Sequence, residues 1–418
     1  MLNFESLKDN FQKNKILVEN FTFLSVLQVS NLVLFIITIP YLFRVLGSQN
    51  YGLIVFAQTT AFYFSIFINF GFNLTATRDI SVNRDDRSKV TEIVSSVLTI
   101  KMIIFIVSLL LMAVLTFTFH QLREQRMIFM LSMLAGLSDA LYPLWYFQGI
   151  EKMKYITIIN VTTRILATIL VFVIITRAGD YVIYPLILGI GTVTGALTGL
   201  LVVFRRHKVK FRFQSLTTLK IYLYDNVLYF FSNVSTQIYV NANKIIIGIF
   251  LGMVDVAYYD VAEKVINIIK VPYSLLGQTL FPKVSRDRDV SFLKKILIYV
   301  LLFSVIVIIV IYMFSPIVIS FFSGSANANS IRILRVLSFT LIPIAISLIY
   351  GDLILINFGL KTEYARMRII GFLFYFLIFT GLYISGELRV FNIAFMVVFV
   401  ETFIAAYSYY LCYKAGLK

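Results

Sequence analysis

The chain has one cysteine, Cys412, one tryptophan and two histidines, His120 and His207, in 418 residues. A lone thiol excludes a disulfide framework and a thiolate metal site. Two histidines far apart in sequence, with no other ligands near them, make no metal cluster. Charge is also scarce: 14% of residues are charged, against roughly 25% in an ordinary soluble domain. With 59% hydrophobic residues and a mean hydropathy of +0.88, that scarcity excludes a soluble globular protein, a disordered chain and a nucleic-acid-binding domain. No Gly-x-x-x-x-Gly-Lys-Ser/Thr run is present, so no P-loop hydrolyses a nucleotide. No Ser-His-Asp constellation is visible, and no loop is long enough to carry a glycosyltransferase or polymerase site. The expectation is a protein that is not an enzyme and has no cofactor and no metal.

What the chain does have is apolar length. A helix needs about 20 apolar residues to cross a bilayer, and twelve runs qualify: 21–43, 51–74, 93–118, 127–148, 156–176, 182–204, 222–250, 257–281, 296–322, 332–357, 369–386 and 391–413. Lys8, Lys13 and Lys15 precede the first run, which is too long for a signal-peptide core and reads as a retained span. Of the 37 Lys and Arg, 25 fall in the termini and the even-numbered loops, whereas the alternate loops hold six: Arg44, Arg123, Arg126, Arg177, Arg332 and Arg389. The positive-inside rule then places both termini in the cytoplasm, and the net charge of +16 is mainly a topology signal. The densest basic cluster, Arg205-Arg206-His207-Lys208-Val209-Lys210-Phe211-Arg212, sits at mid-chain. It divides the expected architecture, an all-α integral membrane protein, into a six-helix lobe 1–204, a basic cytoplasmic linker 205–221 and a six-helix lobe 222–418.

A shift of 205 residues brings Leu46-Gly47, Gly52 and Ala57-Gln58 onto Leu251-Gly252, Ala257 and Ala262-Glu263, and Arg78 onto Lys283. Six spans per half give both halves one orientation, so the repeat is parallel, about an axis along the membrane normal.

Ionisable residues inside spans cost roughly 2.5–3.5 kcal/mol each at the centre and face partners or wet cavities. In the seventh span Asn233, Gln237, Asn241 and Lys244 share one helical stripe. In the eighth, Asp260, Glu263, Lys264, Asn267 and Lys270 share another, with Pro272 beyond. A water-filled cavity between the two accounts for both stripes; the competing account is that Asp260 pairs with Lys264 at i,i+4 and the rest hold helices together. The first half offers neutral counterparts, Gln28 and Asn31 on the first span and Gln58, Ser65, Asn69 and Asn73 on the second. Asp139, Arg164 and Glu401 fall near span centres, with an Arg164–Asp139 pair one option; Lys101 and Arg335 lie near span ends, where snorkelling is expected. Gly191, Gly195 and Gly199 step by four along the sixth span as a packing face.

Four segments carry a family likeness: Pro40-Tyr41-Leu42-Phe43-Arg44-Val45-Leu46-Gly47 with Tyr51-Gly52-Leu53; Phe70-Gly71-Phe72-Asn73 with Ala76-Thr77-Arg78; Trp145-Tyr146-Phe147-Gln148-Gly149-Ile150-Glu151-Lys152-Met153-Lys154-Tyr155; and Asn243-Lys244-Ile245-Ile246-Ile247-Gly248 leading to Leu251-Gly252. In these the chain resembles Wzx-type polysaccharide flippases of the MATE-like (MOP) exporter superfamily. Where that family often has Asp before the lysine, this chain has Asn243, which weakens any carboxylate role there.

The resemblance implies two lobes that alternate access around a central cavity. It implies translocation of an undecaprenyl-diphosphate-linked oligosaccharide, a unit of O-antigen or a related lipopolysaccharide or surface glycan, across the bacterial inner membrane. The lipid-linked oligosaccharide and the bilayer are the expected partners, with lateral contact to a glycan polymerase possible and no nucleic acid. On this reading Lys244, Lys264, Lys270 and Arg164 bind the diphosphate, and Gln28, Asn69, Asn233 and Gln237 contact sugar. Asp139, Asp260, Glu263 and Glu401 are the candidate coupling carboxylates. The alternative is a cation-coupled multidrug exporter of the same superfamily, which favours carboxylates over lysines.

Overall fold

The computed structural model describes the backbone of residues 4–417, and the side chains of these except 4–18, 120, 121, 228, 231–236, 238–240 and 282. Among the described residues every regular element is helical. In chain order they are α1 (Phe4–Asn69), α2 (Phe72–Val82), α3 (Arg87–Thr118), α4 (His120–Arg123), α5 (Arg126–Ser132), α6 (Leu134–Leu141), α7 (Leu144–Gly149), α8 (Met153–Ile174) and α9 (Ile183–Leu201). There follow α10 (Leu216–Phe250), α11 (Met253–Asp287), α12 (Val290–Ser323), α13 (Ala328–Ser338), α14 (Leu341–Ser347), α15 (Lys361–Ile384) and α16 (Val390–Lys414). A 3-10 helix occupies Ala178–Val182, and π-helical segments occupy Val202–Arg206 and Leu348–Leu355.

Local chemistry sets the breaks. Asp86 caps α3 by accepting from the Ser88 and Lys89 amides, and Asp289 caps α12 by accepting from the Phe292 amide. Pro143, without an N–H, sits where α6 stops and α7 begins. The 66-residue α1 is not one rod: Gly47 interrupts it with φ 74° and ψ 168°. Gly252, between α10 and α11, has φ 118° and ψ 171°. Both values lie in territory that only glycine enters freely. The two Leu-Gly pairs of the 205-residue repeat thus make the same backbone break.

Nine helical stretches among the described residues are long and apolar enough to cross a membrane, one of them running through the Gly47 break. Their apolar side chains face outward as well as inward. On α12, Leu302, Val305, Ile306, Ile309 and Met313 are exposed while Val300, Ser304, Ile308, Ile311 and Ser315 are buried. A helix apolar on its exposed face, with small hydroxyls on its buried face, is built for a hydrocarbon solvent. The chain is a multi-pass membrane protein. α10 and α11 fall outside the apolar set, although each has 35 residues and is about 50 Å long at 1.5 Å per residue.

The chain forms two compact units, one of residues 1–46 and 57–234, the other of 47–56 and 235–418. In the first unit α8 packs on α9, α6 on α9 and α2 on α7. Its core joins Phe72, Val97, Trp145, Phe147, Ile156 and Val203, all at most 1% exposed. In the second unit α11 packs on α13, and α14 and α15 on α16. The ten residues 47–56 belong to it through close backbone approach: a Cβ on Gly52 would lie 1.7 Å from the Met253 carbonyl oxygen.

Candidate functional site

The polar stripes of α10 and α11 meet inside the second unit. Lys244 Nζ donates to Glu263 Oε2 at 2.8 Å and stands 3.7 Å from Asp260 Oδ1. Asp260 Oδ2 lies 2.7 Å from Lys264 Nζ and accepts from the Tyr51 hydroxyl at 2.7 Å. Lys264 Nζ also donates to the Tyr51 oxygen at 2.9 Å. The charges alternate along a line, Glu263–Lys244–Asp260–Lys264, and sum to zero. Asp260 is 1% exposed, and its partners in this line are the kind of compensation a buried carboxylate needs. The i,i+4 pairing of Asp260 with Lys264 is therefore present, and it is one link of a longer chain that also crosses to α10 and to residue 51.

Beside the cluster lies a cavity of about 110 Å³, whose walls include Lys244, Glu263, Asn267, Lys270, Tyr375 and Glu401. That space accommodates several waters. Lys270 comes from α11 and Glu401 from α16; no ion pair within 4 Å joins them among the described residues. Asn243 also lines the cavity and accepts from the Tyr375 hydroxyl at 2.9 Å, a bond between α10 and α15. Asn241 Nδ2 donates to the Gln237 carbonyl oxygen at 3.2 Å. Asn233 lies outside the described side chains.

Beyond Glu401, Arg368 Nη2 contacts Asp352 Oδ1 at 3.0 Å and the guanidinium covers the Tyr364 ring at 5.2 Å. Asp352 sits on the π-helical turn 348–355, a backbone form that often marks functional sites.

The expected residues Arg164, Asp139, Lys101, Asn69 and Gln28 lie in the first unit and do not form one site there. Arg164 Nη1 donates to Asn31 Oδ1 at 2.6 Å. The Arg164–Asp139 option is thus not what the structure contains; Asp139 faces Lys101 and Ser65 instead. Lys101 does not snorkel. It is 1% exposed and donates to Asn69 Oδ1 at 3.1 Å, because the α3 face that carries it packs on α6 rather than lying at a helix end. Asn69 Nδ2 donates to the Ser65 carbonyl oxygen, so both ends of this amide are engaged. Gln28 is exposed. Arg335, expected to snorkel, is half-buried and donates to Ser315 Oγ at 2.9 Å and to the Tyr312 carbonyl oxygen at 3.0 Å.

Sequence reasoning missed Tyr51, Lys101 and the Arg368–Asp352 pair as site members. Tyr51 had a signal, since it follows the repeated Leu-Gly break by four residues. Among the described residues no group of three or more His, Cys, Asp or Glu side chains is placed to hold a metal.

Solved structures of the same fold are transporters. The lipid II flippase MurJ, in an inward closed conformation, matches with a TM-score of 0.77 at 14% identity, over 94% of this chain and 87% of its own. An inward-facing multidrug resistance MATE family transporter of the MOP superfamily matches with a TM-score of 0.71 at 14% identity, over 95% of this chain and 98% of its own. The chain shares the fold of these proteins. It belongs to the polysaccharide biosynthesis protein family, whose profile matches residues 17–288. A "Putative O-antigen transporter" of Escherichia coli (strain K12) is 27% identical over 356 residues, 84% of this chain and 86% of that one. A protein of the same name from Shigella dysenteriae is 24% identical over 344 residues, 80% of this chain and 85% of that one.

Proposed function

We propose that the chain is a flippase that carries an undecaprenyl-diphosphate-linked oligosaccharide, a repeat unit of O-antigen or a related surface glycan, across the bacterial inner membrane. Exposure of its site alternates between the two membrane faces. The observation that carries the reading is the pair of ammonium groups Lys244 and Lys270 on the wall of a small polar cavity, with Lys264 joined to the same charge cluster through Asp260. A diphosphate cannot enter about 30 Å of hydrocarbon unaided. Ammonium groups replace its water shell with charge-assisted hydrogen bonds. The neutral amides around them suit sugar hydroxyls. The polyprenyl tail needs no site of its own, since the bilayer dissolves it. The two parts of α1 together with α10 and α11 complete twelve crossings, with both termini cytoplasmic by the charge count. The chain moves its substrate without making or breaking a bond in it.

The test is deletion of the gene in its source strain, with surface glycan run on a gel beside the extracted lipid-linked sugar pool. The expected result is loss of glycan with accumulation of the lipid-linked unit, restored by the wild-type gene but not by Lys270→Ala at equal expression. Normal glycan together with new sensitivity to cationic drugs would overturn the proposal in favour of a multidrug exporter.

A further inference from the structure

The lysines that serve an anionic headgroup are already occupied by carboxylates. We propose, resting on the flippase reading, that Glu263 is an internal competitor for the substrate's diphosphate, displaced from Lys244 when the diphosphate binds and taking up a proton as it leaves.

The two carboxylates of the cluster are not equivalent. Asp260 is 1% exposed, does not reach the cavity wall, and is held from two sides by Lys264 and the Tyr51 hydroxyl. It is an anchor. Glu263 lines the cavity and pairs with Lys244 at 2.8 Å. Their side chains are 17% and 14% exposed. A phosphate oxygen entering the cavity therefore meets Lys244 with Glu263 in the position the phosphate needs. Lys244 keeps Asp260 at 3.7 Å throughout, so it can change one partner without leaving the cluster.

The released Glu263 has few places to go. The ionisable groups around it are Lys244 on α10, Tyr259, Asp260, Lys264 and Lys270 on α11, Tyr375 on α15, Glu401 on α16 and Tyr51 after the Gly47 break. Arg368 and Asp352 stand behind Glu401 and neutralise each other. Among the described residues Lys270 is the other ammonium on the cavity wall, and it shares that wall with Glu401. The cavity is balanced as it stands: Lys244 and Lys270 against Glu263 and Glu401. A diphosphate adds two or more negative charges to a space of about 110 Å³. Two carboxylates and a diphosphate then share two ammonium groups, and protonating a carboxylate is the least costly relief. The proton goes from water to a Glu263 carboxylate oxygen; no bond of the ligand changes. Binding of the anion and of the proton thus reinforce each other, and the affinity falls as pH rises, by up to about tenfold per pH unit for one proton.

The experiment is calorimetric titration of the purified full chain in nanodiscs with farnesyl diphosphate, in two buffers of different ionisation enthalpy, repeated from pH 6.5 to 8.5. The expected result is binding with uptake of close to one proton. Glu263→Gln, which keeps the shape and removes the charge, binds about tenfold more tightly at pH 8 and takes up none. Lys244→Gln binds neither better nor with protons; it loses the ligand. Wild-type binding without proton uptake, and with the same affinity in Glu263→Gln, would overturn the competitor role while leaving the flippase reading intact. Failure of both wild type and Glu263→Gln to bind farnesyl diphosphate at any pH would instead sink the flippase site itself. Should Glu263→Gln not fold, the proton count on the wild type decides.

Discussion

Gly52 and Lys101 show how much a single position carries. Gly52 sits against backbone, with the Met253 carbonyl oxygen 1.7 Å and the Ala257 nitrogen 3.2 Å from where a Cβ would be. Neither atom can swing aside, so Gly52→Ala must push residues 47–56 away from α11 and pull Tyr51 off Asp260. Overpacking of this kind costs about 1–3 kcal/mol. The expected outcome is a thermal midpoint lowered by several degrees in a fluorescence-detected gel-filtration melt, with a drop in surface glycan. Lys101 is a second case. Removing its charge leaves the half-buried Asp139 without the cation it faces. Lys101→Met is therefore expected to cost about 2–4 kcal/mol, and the Lys101→Met/Asp139→Asn double variant to recover part of it. Additive losses in that cycle would show that the two groups do not interact. The sequence placed Lys101 near a span end and so pointed to snorkelling; which face of α3 packs on α6 is not written in the local residues.

At the scale of elements, the basic segment 205–212 lies within the first unit and is bonded to it. The Arg212 amide donates to Ser95 Oγ, and Arg206 covers the Tyr155 ring at 5.5 Å. His207 Nδ1 lies 3.0 Å from the Tyr146 hydroxyl, with Phe147 and Tyr155 around the ring. Burial, and then the cations Lys152 and Arg206, hold the His207 imidazole below its usual pKa. A base depressed in the folded state binds its proton more readily when released. The seat of His207 is thus fully stable above about pH 6.5 and loses stability as pH falls through the ordinary imidazole range, levelling off below the lowered folded value. A spin label on Phe213→Cys, in a Cys412→Ser background, is expected to gain mobility between pH 8 and pH 5, and to lose that pH dependence in His207→Gln. The expected span 127–148 is broken at Pro143, where the missing N–H ends α6, whereas the Leu-Gly pairs marked the breaks at 47 and 252 in advance. The π-helical turn at 348–355 had no such herald, because it arises from how α14 and its continuation fit against α11 and α16.

For the whole molecule, the prediction concerns sidedness. Cys412 is fully buried, its thiol against the Tyr350 carbonyl oxygen, so the wild-type chain is a silent background for thiol labelling. Single cysteines replacing Lys89 and Lys295 are expected to react only from the cytoplasmic side. Cysteines replacing Arg177 and Arg332 are expected to react only from outside, as the distribution of 25 against six cations requires. Labelling of all four from one side would break the twelve-crossing scheme.

The sequence by itself determined that this is a multi-pass helical membrane protein, and it pointed to the polysaccharide biosynthesis family. Those properties live in composition, run length and short motifs, which need no knowledge of distant neighbours. It also named Lys244, Lys264, Asp260 and Glu263, because a polar stripe is a property of one helix. Tertiary structure alone decided that these four neutralise one another, that Tyr51 joins them across more than 200 residues, and that Arg164 and Asp139 part company. Ion pairing in a low-dielectric interior depends on separations of a few ångströms between different helices, and helix periodicity sets only the face on which a charge stands.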